Sequence, residues 1–301
     1  MNIVVAGGSG FIGEPLVKRL LARGDSVAVL SRNPAKVSAG RALQWDGKTQ
    51  GAWRDDVANA DVVINLAGEN VGEGRWTAER KRRLIDSRID ATRALVEALQ
   101  SKPSHARTFI NASAVGIYGF DRGDAVLDEN APRGNGFLAD LVVRWEEAAR
   151  AAEPLARVVA IRFGVVLAPE GGALAKMLLP FKLGGGGPIG SGKQWMSWID
   201  REDVLRMIEW AIDTPKARGV YNATAPNPVA NRDFARTLGH VLHRPSLLPA
   251  PAFALRAAFG EMAGEILLGG QRVVPSRAQA DGFVFRETSL EGALRGMLSR
   301  G

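Results

Sequence analysis

The chain of 301 residues contains no cysteine. That excludes disulfides, thiol nucleophiles and thiolate metal sites, and it fits a reducing compartment. Histidine occurs only at His105, His240 and His243. No histidine-rich metal spacing therefore exists, and a Ser-His-Asp triad would have to be drawn from these three. Tyrosine is scarcer still, at Tyr118 and Tyr221 alone. No apolar run approaches the roughly 18 residues of a membrane span. The apolar N-terminus lacks the basic leader of a signal peptide. The expectation is a cytoplasmic protein with no metal, no membrane and no nucleic acid among its partners. The net charge of +7 suits an anionic small ligand. Its one dense basic run, Arg80-Lys81-Arg82-Arg83, sits in a helical pattern beside Glu79 and Asp86, and no aromatic-interleaved basic strand of the kind that reads single-stranded nucleic acid accompanies it.

What is present is a rhythm. Apolar runs at 2–6, 26–31, 60–68, 108–114 and 157–167 read as buried strands. Between them lie helical patterns: Phe11 to Arg23 with Gly24 as its stop, Thr77 to Gln100 with a stripe of Ile85, Ile89, Thr92, Val96 and Leu99, and a helix opening at Phe137. Strands alternating with helices predict an α/β fold, a doubly wound parallel sheet of the Rossmann type. After residue 167 the rhythm changes. A glycine-rich loop (183–195), a Pro/Asn-rich stretch (225–234, Asn231 a plausible N-cap) and a mixed segment from 247 predict a smaller C-terminal substrate lobe. The expected division is 1–167 with about 198–225 for the dinucleotide domain, and 168–197 with 226–301 for the lobe.

The stretch VVAGGSGFIG sets Gly7, Gly10 and Gly13 between the first strand and the first helix. In such a unit the first glycine permits the turn, the second admits a pyrophosphate, and the third packs helix on strand. The amides of Ser9, Phe11, Ile12 and Gly13 then face the phosphates at the helix tip. The second strand ends in Ser31 and Arg32 rather than in a carboxylate. A carboxylate would repel a ribose 2′-phosphate, whereas a guanidinium can hold it. The cofactor expected is NADP(H), with Ser31 and Arg32 on the 2′-phosphate and Asp46, after the third strand, able to meet the adenine edge.

GGSGFIG, NLAGEN, ASAVGIYG and YNATAP together resemble the extended short-chain dehydrogenase/reductase superfamily. The stretches RWTAERKRRLIDSRIDATRALVEAL and GGQRVVPSRAQADGFVF are similar to a family within it, predicted nucleoside-diphosphate-sugar epimerases sometimes labelled cell-division-inhibitor homologues. The resemblance implies cofactor contacts at the glycine turn, at Ser31 and Arg32, and at Leu66, Ala67 and Gly68. It also implies Arg88, from the DSR motif, beside the cofactor; the alternative is a surface arginine paired with an acid.

Superfamily enzymes pair a tyrosine with a lysine four residues on, which puts both on one helical face and lets the lysine depress the phenol pKa. Here Phe137 or Leu138 falls where the tyrosine should be, and no lysine occurs between Lys102 and Lys176. The usual hydroxyl position is Ala114, with Ser113 one residue off. Ser113 either faces the nicotinamide or bonds backbone at the strand end. Tyr118 either lines the cleft as a proton donor or packs structurally. Substrate candidates are Arg162, Lys193 and Trp198, with Trp195 and Asp200 nearby; Asp203 reads as structural. Two functions follow: an NADPH-dependent reductase or epimerase-like enzyme with an atypical proton donor, or an NADP(H)-holding regulator. A small-molecule substrate suits the first, and superfamily habit suggests a homodimer.

Overall fold

Apolar strands and one-sided helices are covered together only when helices pack on both faces of a parallel sheet. The computed structural model describes residues 1–102 and 107–299, and His105 lies outside them. The first half of the chain runs β1 (Asn2–Ala6), α1 (Gly13–Ala22), β2 (Ser26–Ser31), β3 (Arg41–Gln44), α2 (Arg54–Ala58), β4 (Val62–Asn65), α3 (Ala78–Gln100) and β5 (Thr108–Ala114). Next come β6 (Asp121–Leu127), α4 (Phe137–Arg150), β7 (Arg157–Phe163), β8 (Val165–Ala168) and α5 (Gly172–Lys182). The remainder holds β9 (Trp195–Met196), β10 (Trp198–Asp200), α6 (Arg201–Asp213), β11 (Gly219–Ala223), β12 (Val229–Ala230) and α7 (Asn231–Val241). It closes with α8 (Ala252–Phe259), β13 (Gly270–Val273), α9 (Ser276–Ala280) and α10 (Leu290–Leu298).

Seven strands form the central sheet in the order β11-β7-β5-β4-β1-β2-β3, every pair parallel. The order reverses at β1, so the carboxyl ends of β1 and β4 open a crevice there. One face packs Leu16, Val17 and Leu20 of α1 with Val204, Leu205 and Ile208 of α6. The other packs Val57 of α2, Leu95 and Leu99 of α3 and Ala149 of α4. Each fully buried leucine here contributes roughly 1.5–3 kcal/mol. This is the expected doubly wound Rossmann-type sheet.

The expected strand 157–167 is two strands. At Gly164 the chain leaves the sheet: its N–H reaches Ala223 O at 3.0 Å, and the next, Val165, reaches Ser197 O at 2.8 Å. A side chain at Gly164 would collide with the Ser197 carbonyl. β8 therefore pairs with β10, away from the central sheet. Two more small pairs form: β9 with β12 beside a core of Phe181, Trp198, Phe234 and Leu294, and β6 with β13 beside Tyr118, Leu141 and Val142. Asn231 is the first residue of α7 and not its cap; its Oδ1 accepts the Ile189 N–H at 2.7 Å and ties down the glycine-rich loop.

Candidate cofactor cleft and catalytic positions

The first and third glycines make the turn and the close helix–strand packing that their spacing requires. Gly7 has φ +78°, and a Cβ on it would stand 2.8 Å from Leu66 O, so the turn lies flush on the end of β4. A Cβ on Gly13 would run into the Gly7 carbonyl, so α1 needs glycine to sit against β1. Gly10 meets only Gly7 O, at 3.2 Å, and its outer side is open. No side chain caps α1. The Glu14 N–H is taken by Gly10 O at 2.9 Å and Pro15 has none, so the amides left for an external acceptor are those of Phe11, Ile12 and Gly13, which bond no oxygen among the described residues.

The turn forms one wall of a cleft of about 530 Å³. Gly7, Ser9, Gly10, Ser31, Arg32, Asp46, Leu66, Ala67 and Gly68 all line it. Of the other residues expected at the cofactor, Phe11 packs under Gly171 and Gly172 with Arg201 over its ring at 5.1 Å, and Ile12 and Gly13 belong to the helix start. At the far end the Ser31 hydroxyl donates to Asn33 O at 3.0 Å and accepts the Asn33 N–H at 3.1 Å, shaping the loop after β2. Arg32 and Lys36 line the same end, and neither makes an ion pair among the described residues. The Asp46 carboxylate is occupied. Thr49 Oγ1 donates to it at 2.5 Å, and the amides of Thr49 and Lys48 each donate at 2.8 Å. These bonds hold its pKa below the usual carboxylate range. Asp46 therefore builds the turn beside the cleft while still lining it.

Arg88 stands behind the loop after β4, buried and without a carboxylate partner. Its guanidinium donates to Leu84 O at 3.0 Å and Glu69 O at 2.9 Å, and it lies 5.1 Å from the Trp145 ring. Burial pulls its pKa down to about 10, and its Nε has no partner among the described residues. Arg88 is not a surface ion pair; it stands directly behind Gly68, which lines the cleft. Gly68 rests on the guanidinium, where a Cβ would come within 3.0 Å of Cζ. The Glu69 carboxylate is held instead by Arg80.

Sequence reasoning missed a second support of the same loop. Asn65 Oδ1 accepts the Ala67 N–H at 3.1 Å, while its amide donates to Asn111 Oδ1 at 2.7 Å and Thr92 Oγ1 at 2.9 Å. The signal was there: an asparagine in each of two otherwise apolar strands, at positions that prove to be register partners.

The catalytic candidates are elsewhere. Ser113 donates to Glu146 Oε1 at 2.6 Å. Arg162 grips the same carboxylate from Nε at 2.7 Å and from its terminal nitrogen at 2.9 Å. Its other nitrogen donates to the Tyr118 hydroxyl at 2.9 Å, and that hydroxyl donates to Asn222 Oδ1 at 2.8 Å. All five residues are buried, and none lines the cleft. Burial pushes the Tyr118 phenol up, against the pull of Arg162. Burial works against the Arg162 charge, and Glu146 more than reverses it, so its pKa is raised. Arg162 is thus held inside the protein by three of its five N–H groups, away from the residues that line the cleft. Trp198 is likewise fully buried, its indole donating to Asn227 O at 3.1 Å. Trp195 donates to Asp124 at 2.8 Å, Asp200 caps α6, and Lys193 is exposed on the glycine-rich loop. Asp203 is fully buried and accepts the Arg286 and Glu287 amides, tying the C-terminal segment to α6. Where a tyrosine and lysine would stand, α4 opens with Phe137 and continues with buried Leu141 and Val142. Its first amides are capped by Glu265, Oε1 on Phe137 at 2.7 Å and Oε2 on Leu138 at 2.9 Å.

Residues 3–224 match the NAD dependent epimerase/dehydratase family. The chain belongs to that family. Residues 250–297 match a domain of unknown function, DUF1731. The chain is 41% identical over 308 residues to the chloroplastic epimerase family protein SDR39U1 homolog of Arabidopsis thaliana, covering 99% of this chain and 87% of that one. It is 39% identical to the epimerase family protein YfhF of Bacillus subtilis, over 99% of this chain and 98% of the other. The crystal structure of human epimerase family protein SDR39U1 with NADPH superposes at a TM-score of 0.90, with 35% identity and 100% of both chains covered. Among the described residues no helix is long and apolar enough to cross a membrane, and no cluster of three or more His, Asp or Glu could hold a metal ion.

Proposed function

We propose that this chain binds NADP(H) in preference to NAD(H) and uses it to reduce a carbonyl-type small molecule, without a side-chain phenol as acid. One observation carries the cofactor part. A single cleft gathers the glycine turn, the loop after β4, and two cations without ion-pair partners among the described residues, Arg32 and Lys36, at the end where an NAD site would carry a carboxylate. The human relative crystallised with NADPH agrees. The amides at the α1 tip hold the diphosphate, and Arg32 takes the 2′-phosphate. Leu66, Ala67 and Gly68 follow the nicotinamide-side ribose, held in place by Asn65 and by Arg88. When bound, the nicotinamide supplies hydride chemistry. The chain's own residues bind and orient it, and the accompanying proton comes from solvent. In this reading residues 1–167 with about 198–225 hold the cofactor, while 168–197 with 226–301 face the substrate, Lys193 being the remaining cationic candidate.

A second reading has its own support. Ser113, Tyr118 and Arg162 are locked in one buried network, and the tyrosine–lysine positions are apolar, which suits an NADP(H)-holding regulator without turnover. Titrating the protein with NADPH and NADH, then following nicotinamide absorbance with a panel of ketones, aldehydes and nucleotide sugars, tests both. Tight NADPH binding with turnover on one of them supports the reductase, and tight binding with none supports the regulator. Equal affinity for the two cofactors overturns the NADP(H) assignment.

A further inference from the structure

Charge and exposed apolar surface are unevenly distributed. Residues 171–199 and 234–260 contain six Lys and Arg and no Asp or Glu, so they carry +6 of the chain's net +7. Five of the nine large hydrophobic residues exposed among those described are in the same two segments: Leu179, Leu183, Leu247, Leu248 and Phe253. Leu247 is 81% exposed, Leu183 78% and Phe253 77%.

The two segments run side by side. Arg244 Nε donates to Lys182 O at 3.0 Å, Leu248 N–H to Gly186 O at 3.2 Å, and Ala250 N–H to Pro188 O at 2.9 Å. Ile189 and Ala250 form a β-bridge. Leu179 on α5 and Leu183, its C-cap, are four apart and joined by the Leu183 N–H to Leu179 O bond, so they share one face. α8 follows directly with the sequence AFALRAAF, and none of its residues is buried. Of the six basic side chains Arg236 faces Asp233, while Lys182, Lys193, Arg244 and Arg256 make no ion pair among the described residues. The acids that flank the two segments are already committed. Glu170 pairs with Arg201, Asp233 faces Arg232 and Arg236, Asp200 caps α6, and Glu261 pairs with Lys81.

We propose that this face docks the protein peripherally on an anionic lipid surface, with Leu179, Leu183, Leu247, Leu248 and Phe253 entering the headgroup–acyl boundary and Lys182, Arg244 and Arg256 meeting lipid phosphates. Exposed leucine and phenylalanine beside unpaired Lys and Arg, with no acid among them, is the chemistry of interfacial binding. Such docking needs no spanning helix, so the lack of one does not bear on it. A second copy of the chain fits less well, because an isologous contact would set this cationic face against itself. The proposal is independent of the cofactor reading, since none of its residues lines the cleft.

Flotation of the full chain with vesicles of phosphatidylcholine alone, and of phosphatidylcholine mixed with phosphatidylglycerol, tests it. The expected result is partition onto the mixed vesicles only, weakening as salt is raised. The exposed pairs Leu247→Ser/Leu248→Ser and Lys182→Glu/Arg256→Glu should each lower that partition on the order of tenfold or more, with thermal stability and NADPH binding unchanged. Absence of wild-type binding to the mixed vesicles overturns the proposal, as does binding that survives both double variants. Two further results overturn it and name another occupant: loss of self-association in the variants points to a second copy, and retention on polyglutamate without retention on vesicles points to an acidic protein.

Discussion

At the scale of single residues, the same side chain type is put to opposite uses. Arg32 is exposed at the cleft with no ion pair among the described residues, while Arg162 is buried and held by Glu146 and Tyr118. Arg32→Ala should therefore fold normally and weaken NADPH binding by about tenfold to a hundredfold, the factor for one lost charge-assisted contact of roughly 1.5–3 kcal/mol. NADH affinity should be unchanged, and fluorescence titration with both cofactors measures this. The two tyrosines give a sharper test. Burial raises Tyr118, and burial together with donation to Asp281 at 2.6 Å pushes Tyr221 up to about 12. A phenol whose native pKa lies above its unfolded value of about 10 favours the folded state at lower pH, and that contribution is lost as pH rises from there through the native value. Alkaline titration followed at the phenolate absorbance should show no tyrosine ionising at or below pH 10, and ionisation should accompany unfolding above it. A phenol titrating near neutrality would instead reveal a catalytic acid and refute the structural role given to Tyr118.

At the scale of elements, the glycine turn separates folding from binding. Gly13 packs against Gly7 with no room for a Cβ, whereas Gly10 is crowded only at 3.2 Å. Gly13→Ala should cost at least 1–3 kcal/mol, the range for overpacking, and abolish NADPH binding. Gly10→Ala should keep most of the melting temperature and lose affinity, because its methyl projects toward the phosphates. Thermal melts paired with NADPH titrations distinguish the two, and equal destabilisation by both would refute the assigned roles. At α4 the buried Glu265 carboxylate replaces a local cap, so Glu265→Ala should destabilise by about 1–2 kcal/mol in a denaturant melt. Much of this was legible in advance. β1, β2 and β5 have the bounds that their apolar runs predicted, because a strand covered on both faces must be apolar throughout. The split at Gly164 was not legible, since β7 and β8 are equally apolar and only the collision with Ser197 bends the chain. β6, with the sequence DRGDAVL, escaped notice because its exposed side gives no alternation to read. The Glu265 cap joins residues more than 120 positions apart, beyond any local pattern.

At the scale of the whole molecule, the cleft is assembled from the carboxyl ends of several strands and not from one segment. Gly7 follows β1, Ser31 ends β2 and Arg32 follows it, Asp46 follows β3, and Gly68 follows β4. Phe11, at the tip of α1, also carries the turn before α5 through Gly171 and Gly172, so the cofactor turn and the C-terminal part share a contact. The positions of these residues were readable because parallel-sheet topology brings strand ends together at the switch in strand order; the Asn65–Asn111–Thr92 support was not, because polar pairing between strands depends on register. A ligand that bridges so many strand ends binds the folded chain and not the unfolded one. NADPH at about one hundred times its dissociation constant should therefore add roughly 2.7 kcal/mol to unfolding free energy, a rise of several degrees in melting temperature for a domain of this size. NADH at the same concentration should add less, because it lacks the 2′-phosphate proposed to meet Arg32 and Lys36. The Arg32→Ala variant should bring the two cofactors' effects together. If both shift the wild-type melting temperature equally, or neither does, the cleft is not the NADP(H) site.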